Sequence, residues 1–242
     1  MKFMAKTVAA AVLAVSSVSV FSAVTADGKR FYVDNIIPNF QAVQDNLLQW
    51  KTGYNYSCGP TSLLFIDNHY VRKSTGNSPP HLRSLDEAKK AIGRIYTNIG
   101  ISLNSSKGTE LTQLRTIARD YWGYANTRRM DASAKPETNL DNLITTLRSD
   151  YPALATLNPA YKGYPLPGSK IPHIVIIFAY NKQTDEFGRA WNHPQNTRKM
   201  DLIEYYEPYY GYMRTVPRKD VLLPAETRAF DLANFAYLQL GR

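Results

Sequence analysis

One cysteine, Cys58, is all that the 242-residue chain has, which rules out an internal disulfide, a paired-thiol redox motif and a thiolate zinc site. The four histidines are dispersed, and there is no metal-ligand spacing, phosphate-binding loop, dinucleotide fingerprint, repeat or low-complexity tract. No metal and no organic cofactor is therefore expected. Long blocks of one charge are missing too. The 29 basic side chains exceed the 20 acidic ones, but Arg83, Lys89, Arg128, Arg198 and Arg218 are scattered as on a solvated surface. That pattern argues against nucleic acid as a partner.

What is there begins with a leader-like segment. Lys2 and Lys6 precede an uncharged, largely apolar stretch from Thr7 to Val24, and Val24-Thr25-Ala26 supplies small residues. This layout predicts a signal peptide over residues 1–26 and an exported product, periplasmic or secreted. Ser16, Ser17 and Ser19 thin a run that would need about 20 strongly apolar residues to span a bilayer. No comparable run follows, so no stable membrane insertion is expected. Removing Lys2 and Lys6 leaves 27 basic against 20 acidic side chains, a net charge of +7. Residues 27–242 have the length of one domain with a sizeable core. In an oxidising compartment an unpaired thiol is a hazard, so Cys58 is either buried and inert or has a chemical task.

The stretch from Asp27 to Gln44 reads as a short strand around Phe31-Tyr32-Val33 and a turn at Pro38, with a short helix from Ala42 to Trp50 after it. Ser57 is a plausible helix cap, Pro60 suits a first turn, and Leu63, Ile66 and Tyr70 recur at helical spacing. A helix is thus predicted to start at Cys58 and to end before the turn formers Thr75-Gly76-Asn77-Ser78-Pro79-Pro80. Ser84-Leu85-Asp86-Glu87 has the form of a capping box ahead of Ala88, Ile92 and Ile95. Thr109 and Asn139 are expected to cap two further helices, the first with Tyr121 in its apolar stripe. Short β runs follow at Ala153–Leu157, Ile171–Tyr180, Ala190–Trp191, Met200–Tyr206, Tyr212–Val216 and Phe235–Leu240. Helices first and strands afterwards predict an α+β fold, an N-terminal helical portion packed on an antiparallel β-sheet with a cleft between them.

At a helix start, free backbone N–H groups and the positive end of the dipole favour a thiolate at Cys58, and its own N–H can face a developing oxyanion. The competing assignment is a buried structural thiol. A nucleophile needs a base. His69 would lie about 16 Å further along the same helix, and His81 and His193 fall in loops. His173 precedes Ile174-Val175-Ile176-Ile177-Phe178, a run that predicts a central strand covered on both faces with the ring at the cleft edge. Glu207, at the end of the Met200–Tyr206 strand, is the candidate to orient that ring, with Glu204 and Asn181 as weaker substitutes.

Cys58-Gly59-Pro60-Thr61-Ser62-Leu63, Lys107-Gly108-Thr109, Tyr151-Pro152-Ala153-Leu154, Pro172-His173-Ile174-Val175-Ile176 and Tyr206-Glu207-Pro208-Tyr209 occur in this order. Together they resemble the C39-like branch of the papain-like cysteine peptidases over nearly the whole of residues 27–242. The resemblance implies a papain-like cysteine peptidase fold, with Cys58 as nucleophile, His173 as general base and then acid, and Glu207 as the orienting residue. It departs from the family pattern twice: Glu207-Pro208 stands where Asp-Pro is usual, and Thr52 stands where an oxyanion-donating glutamine is usual. Gln49 and Asn55 are the substitute donors.

The function these residues point to is an exported cysteine hydrolase, a peptidase or amidase that forms an acyl-enzyme on a peptide or other amide or ester substrate. Two alternatives remain open at this level, an acyl or peptidyl transferase on the same scaffold and a catalytically silent binding module.

Overall fold

The computed structural model describes residues 23–103, 108–130, 135–166, 168–230 and 237–242. Residues 1–22 of the expected leader lie outside the described residues, as do Lys107 and Phe235. The chain runs through β1 (Ala23–Val24), β2 (Arg30–Tyr32), α1 (Ile36–Gln41), α2 (Gln44–Leu47), α3 (Gln49–Thr52), α4 (Cys58–Thr75), a 3-10 turn (Pro80–Leu82), α5 (Leu85–Asn98) and α6 (Leu111–Thr116). A wider π turn (Ile117–Tyr121), β3 (Arg128–Met130), α7 (Pro136–Arg148), β4 (Ala153–Leu157), β5 (His173–Asn181), β6 (Leu202–Glu207), β7 (Tyr212–Pro217), α8 (Arg218–Val221) and β8 (Tyr237–Gln239) follow. The result is the expected α+β arrangement, with helices on a sheet whose described strand pairs are all antiparallel.

Strand β5 organises the sheet. β6 pairs along one edge, while β4 and then β2 share the other. Every residue from His173 to Tyr180 is buried, which is why the run is apolar without alternation. Helix α4 packs on β5 and is itself buried from Cys58 to Ile66. Ser57 does not cap it: the Ser57 hydroxyl donates to the Tyr54 carbonyl at 2.8 Å, closing the preceding turn. The helix tolerates this because a cap contributes about 0.5–2 kcal/mol, whereas Leu63, Leu64, Phe65 and Ile66, at most 1 % exposed, each contribute about 1.5–3 kcal/mol by burial. Gly76, at φ +74°, ends it with a left-handed turn whose N–H returns to the Arg72 carbonyl at 2.8 Å.

Several expectations need correction. Pro38 is the third residue of α1, where no helical N–H is needed, rather than a turn after a strand. The helix expected from Ala42 to Trp50 is two single turns, broken at Leu48, whose ψ of 131° is extended. Ser84 does cap α5 through the Glu87 N–H at 3.2 Å, but α6 is capped by a reciprocal Glu110–Gln113 box instead of Thr109. Tyr121 is 55 % exposed and lies outside the apolar stripe. Helix α7 begins at Pro136, placing Asn139 inside it and buried. Ala190–Trp191 is not a strand, because Asp185 gathers the N–H groups of Phe187, Arg189 and Thr197 into a loop at 2.9–3.1 Å.

His69, fully buried on α4, has its Nδ1 3.1 Å from the Asn39 amide nitrogen, and its Nε2 is buried without a partner among the described residues. Burial, aided by Lys73, holds its pKa down at about 3. The folded value lies below the unfolded value of about 6.5, so the native state resists the proton that the unfolded chain accepts. Stability from this group is therefore complete above pH ~6.5 and drains as pH falls toward 3. Urea titrations at pH 7 and pH 5 are expected to show wild type losing roughly 1–2 kcal/mol more than His69→Gln over that interval. Equal losses would remove His69 as the cause.

Candidate active site

The first turn of α4 meets the first residues of β5. Cys58 Sγ lies 3.4 Å from the Ile174 N–H donor, and the His173 imidazole is near enough to act on the thiol through its charge and hydrogen-bonding capacity. On its other side the His173 ring places Nε2 2.7 Å from Glu207 Oε1. Glu207 Oε1 also accepts the Tyr209 N–H at 2.5 Å, and Oε2 accepts the Tyr210 N–H at 2.9 Å. The Tyr209 and Tyr210 N–H groups each donate to one carboxyl oxygen, so Glu207 meets the ring as an acceptor, an arrangement that assigns the ring proton to Nε2. Glu204 is elsewhere, paired with Arg30 at 2.7 Å.

All three groups are buried, with Cys58 7 %, His173 3 % and Glu207 0 % exposed. Burial pushes the Cys58 thiol up, but the hydrogen bond and charge of His173, with the Ile174 and Gly59 N–H groups, outweigh it and leave the thiol below its ordinary value. Burial also opposes a charge on His173, and there Cys58 and Glu207 win, raising the imidazole to about 9. Both shifts favour the same state, a thiolate beside an imidazolium. An adjoining cleft of about 50 Å³ is lined by Asn55, Tyr56, Gly108, Tyr164 and Ile171 as well as Cys58 and His173.

Residues 33–217 match the Peptidase_C39 like family. The chain belongs to this family. Its α+β fold, helices against a curled antiparallel sheet, agrees with the C39-like papain fold, and membership makes a cysteine peptidase acting on peptides the family-level expectation. A comparison with curated proteins finds no match. Among the described residues no helix is long and apolar enough to cross a membrane.

Within this C39-like scaffold the two substitute donors are placed differently. Gln49 is 2 % exposed, and its Nε2 donates to the Tyr54 and Asn55 carbonyls at 3.2 and 2.8 Å. It fastens the turn that leads to Cys58. Asn55 is exposed and lines the cleft. Thr52, buried, donates to the Gln49 carbonyl at 2.8 Å. Of the tyrosines clustered in the second half, Tyr161, Tyr205 and Tyr206 are core residues, whereas Tyr164 lines the cleft and Tyr210 and Tyr212 are exposed.

Sequence reasoning missed the contacts that seat the helix start. The Tyr96 hydroxyl donates to the Tyr56 carbonyl at 2.9 Å. A Cβ on Gly59 would stand 2.0 Å from Thr109 Oγ1 and 3.1 Å from Ile174 Cδ1, so only glycine lets the loop before α6 and the start of β5 close on this turn. Nothing local in the sequence carries that signal, because the three residues are far apart in the chain. Gly59→Ala is expected to be destabilised by about 1–3 kcal/mol and to alkylate more slowly at Cys58, with part of both losses recovered by adding Thr109→Ala. Thermal unfolding and iodoacetamide labelling measure the two effects, and an unchanged midpoint in Gly59→Ala would contradict the close packing.

Proposed function

We propose that the protein is an exported cysteine peptidase in which Cys58 is the nucleophile, His173 the general base and then acid, and Glu207 the group that orients the ring. The observation that carries this is the burial of Cys58, His173 and Glu207 in one place, with His173 Nε2 2.7 Å from Glu207 Oε1 and with sulfur and imidazole shifted in opposite directions toward the charged pair. Cys58 attacks the substrate carbonyl and His173 delivers the proton to the departing amine. Water, deprotonated by His173, then hydrolyses the acyl-enzyme. The tetrahedral oxyanion is held by the Cys58 N–H at the head of α4 and by the Asn55 amide. Gln49 serves by holding the Tyr54-Asn55 turn, since its amide hydrogens are already engaged there.

The longer Glu207 fits this role without displacing the ring. Its own turn pins both carboxylate oxygens through Tyr209 and Tyr210, so the extra methylene adds reach rather than slack. Glu207→Gln would aim an amide NH2 at a site supplied only with donors, which weakens the orientation and the turn together.

The test expresses the whole chain with its first 26 residues and treats the product from the export compartment with a peptidyl acyloxymethyl ketone probe. Wild type is expected to begin at Asp27 by mass and to be labelled at Cys58. Cys58→Ala is unlabelled, and His173→Ala and Glu207→Gln are slower by roughly 100-fold or more and 10-fold or more respectively. Equal labelling of wild type and His173→Ala would defeat the catalytic assignment, and a product retaining Met1 would defeat the leader.

A further inference from the structure

A second cavity, of about 400 Å³, lies away from Cys58 between the α1–α2 segment and β7. Gly211, Tyr212, Met213 and Arg214 all line it. Consecutive strand residues point to opposite faces, so Tyr212, Met213 and Arg214 can border one space together only along the strand's edge. That edge is free: among the described residues β7 pairs with β6 alone. Ile37, Gln41 and Gln44 form the facing wall.

Tyr206 supplies the independent sign of a ligand. The side chain is 1 % exposed and lines the cavity, yet its hydroxyl is buried without a partner among the described residues. Unmet buried hydroxyls are rare because water is lost without replacement. Nearby, Tyr210, Tyr212 and Met213 are 43 %, 55 % and 60 % exposed, an apolar concentration on one side of the molecule. Among the described residues no acidic side chain lines the cavity, and Arg214 is its only charged residue.

We propose that this groove binds an extended peptide segment that pairs with the free edge of β7 and gives a backbone carbonyl to the Tyr206 hydroxyl. The assignment rests on the peptidase function above, and makes the groove a second holding site for substrate chain remote from the scissile bond. A peptide fits where a glycan does not, because β7 presents N–H and C=O groups at a two-residue period that another backbone matches. The groove's near end adjoins the Glu207 turn, where the Gly211 N–H donates to the Glu207 carbonyl at 3.0 Å.

The test pans a displayed random seven-residue peptide library against Cys58→Ala protein, which cannot cleave, with counter-selection on Cys58→Ala/Met213→Asp. Enriched peptides, synthesised with a fluorophore, are expected to bind in an anisotropy titration. The affinity should fall about 5-fold or more in Tyr206→Phe and about 10-fold or more when one central peptide amide is N-methylated. Affinity indifferent to N-methylation at every position, or no enrichment over the counter-selected variant, overturns the proposal. So does a wild-type dimer in light scattering that Met213→Asp dissolves without any peptide binding. Peptide binding with no hydrolysis in wild type would strike the catalytic assignment alone, whereas hydrolysis with no groove binding would strike the groove alone.

Discussion

The seating of the first turn of α4 on the first residues of β5 is the constraint on which the rest of this molecule depends. Gly59 has no side chain, so Thr109 and Ile174 close on it, and the Ile174 N–H reaches the Cys58 sulfur. One helix turn lower, the Ser62 hydroxyl donates to the Ile174 carbonyl at 3.4 Å. A helix start gives the sulfur free N–H donors and a positive dipole end, and the strand start gives it a rigidly held imidazole. Neither element alone would favour a thiolate. Their contact does in the proposed assignment, because the charge of the imidazole then acts on the sulfur in a site with little water to screen it.

Glu207 extends the same logic outward. Its buried carboxyl oxygens need donors, and the Tyr209 and Tyr210 N–H groups supply them. Held in this way, the carboxyl faces Nε2 of His173 as an acceptor and assigns the ring proton there. The turn after β6 therefore sets the tautomer of a residue that begins β5, and the antiparallel pairing of those strands, Ile176 opposite Tyr206, holds the two in register.

Much of this was legible in the sequence, for identifiable reasons. Helix α4 announced itself through Pro60 and a helical apolar stripe, and β5 through a run too uniformly apolar for an exposed face. Cys58, His173 and Glu207 each stood at the start or end of such an element, and the structure brings all three together. What failed was local chemistry with more than one acceptable outcome. Ser57, Thr109 and Asn139 can all cap helices, but Ser57 is spent on Tyr54, Thr109 is wedged against Gly59, and Asn139 is drawn into a helix that Pro136 starts earlier. The loop around Asp185 mimicked a strand at Ala190–Trp191 because its true organiser is a side chain collecting backbone N–H groups. Gln49 shows the harder case, since only coordinates reveal that its amide faces the Tyr54 and Asn55 carbonyls.

The central claim is that His173 holds Cys58 as a thiolate despite burial. The most direct measurement is the rate of Cys58 alkylation by iodoacetamide across pH 4–9 in wild type and His173→Ala. The account predicts labelling in wild type that persists well below pH ~8.5, the ordinary range of a thiol, and that moves upward in pH when the imidazole is removed. A single ordinary thiol titration, the same in both proteins, would contradict it.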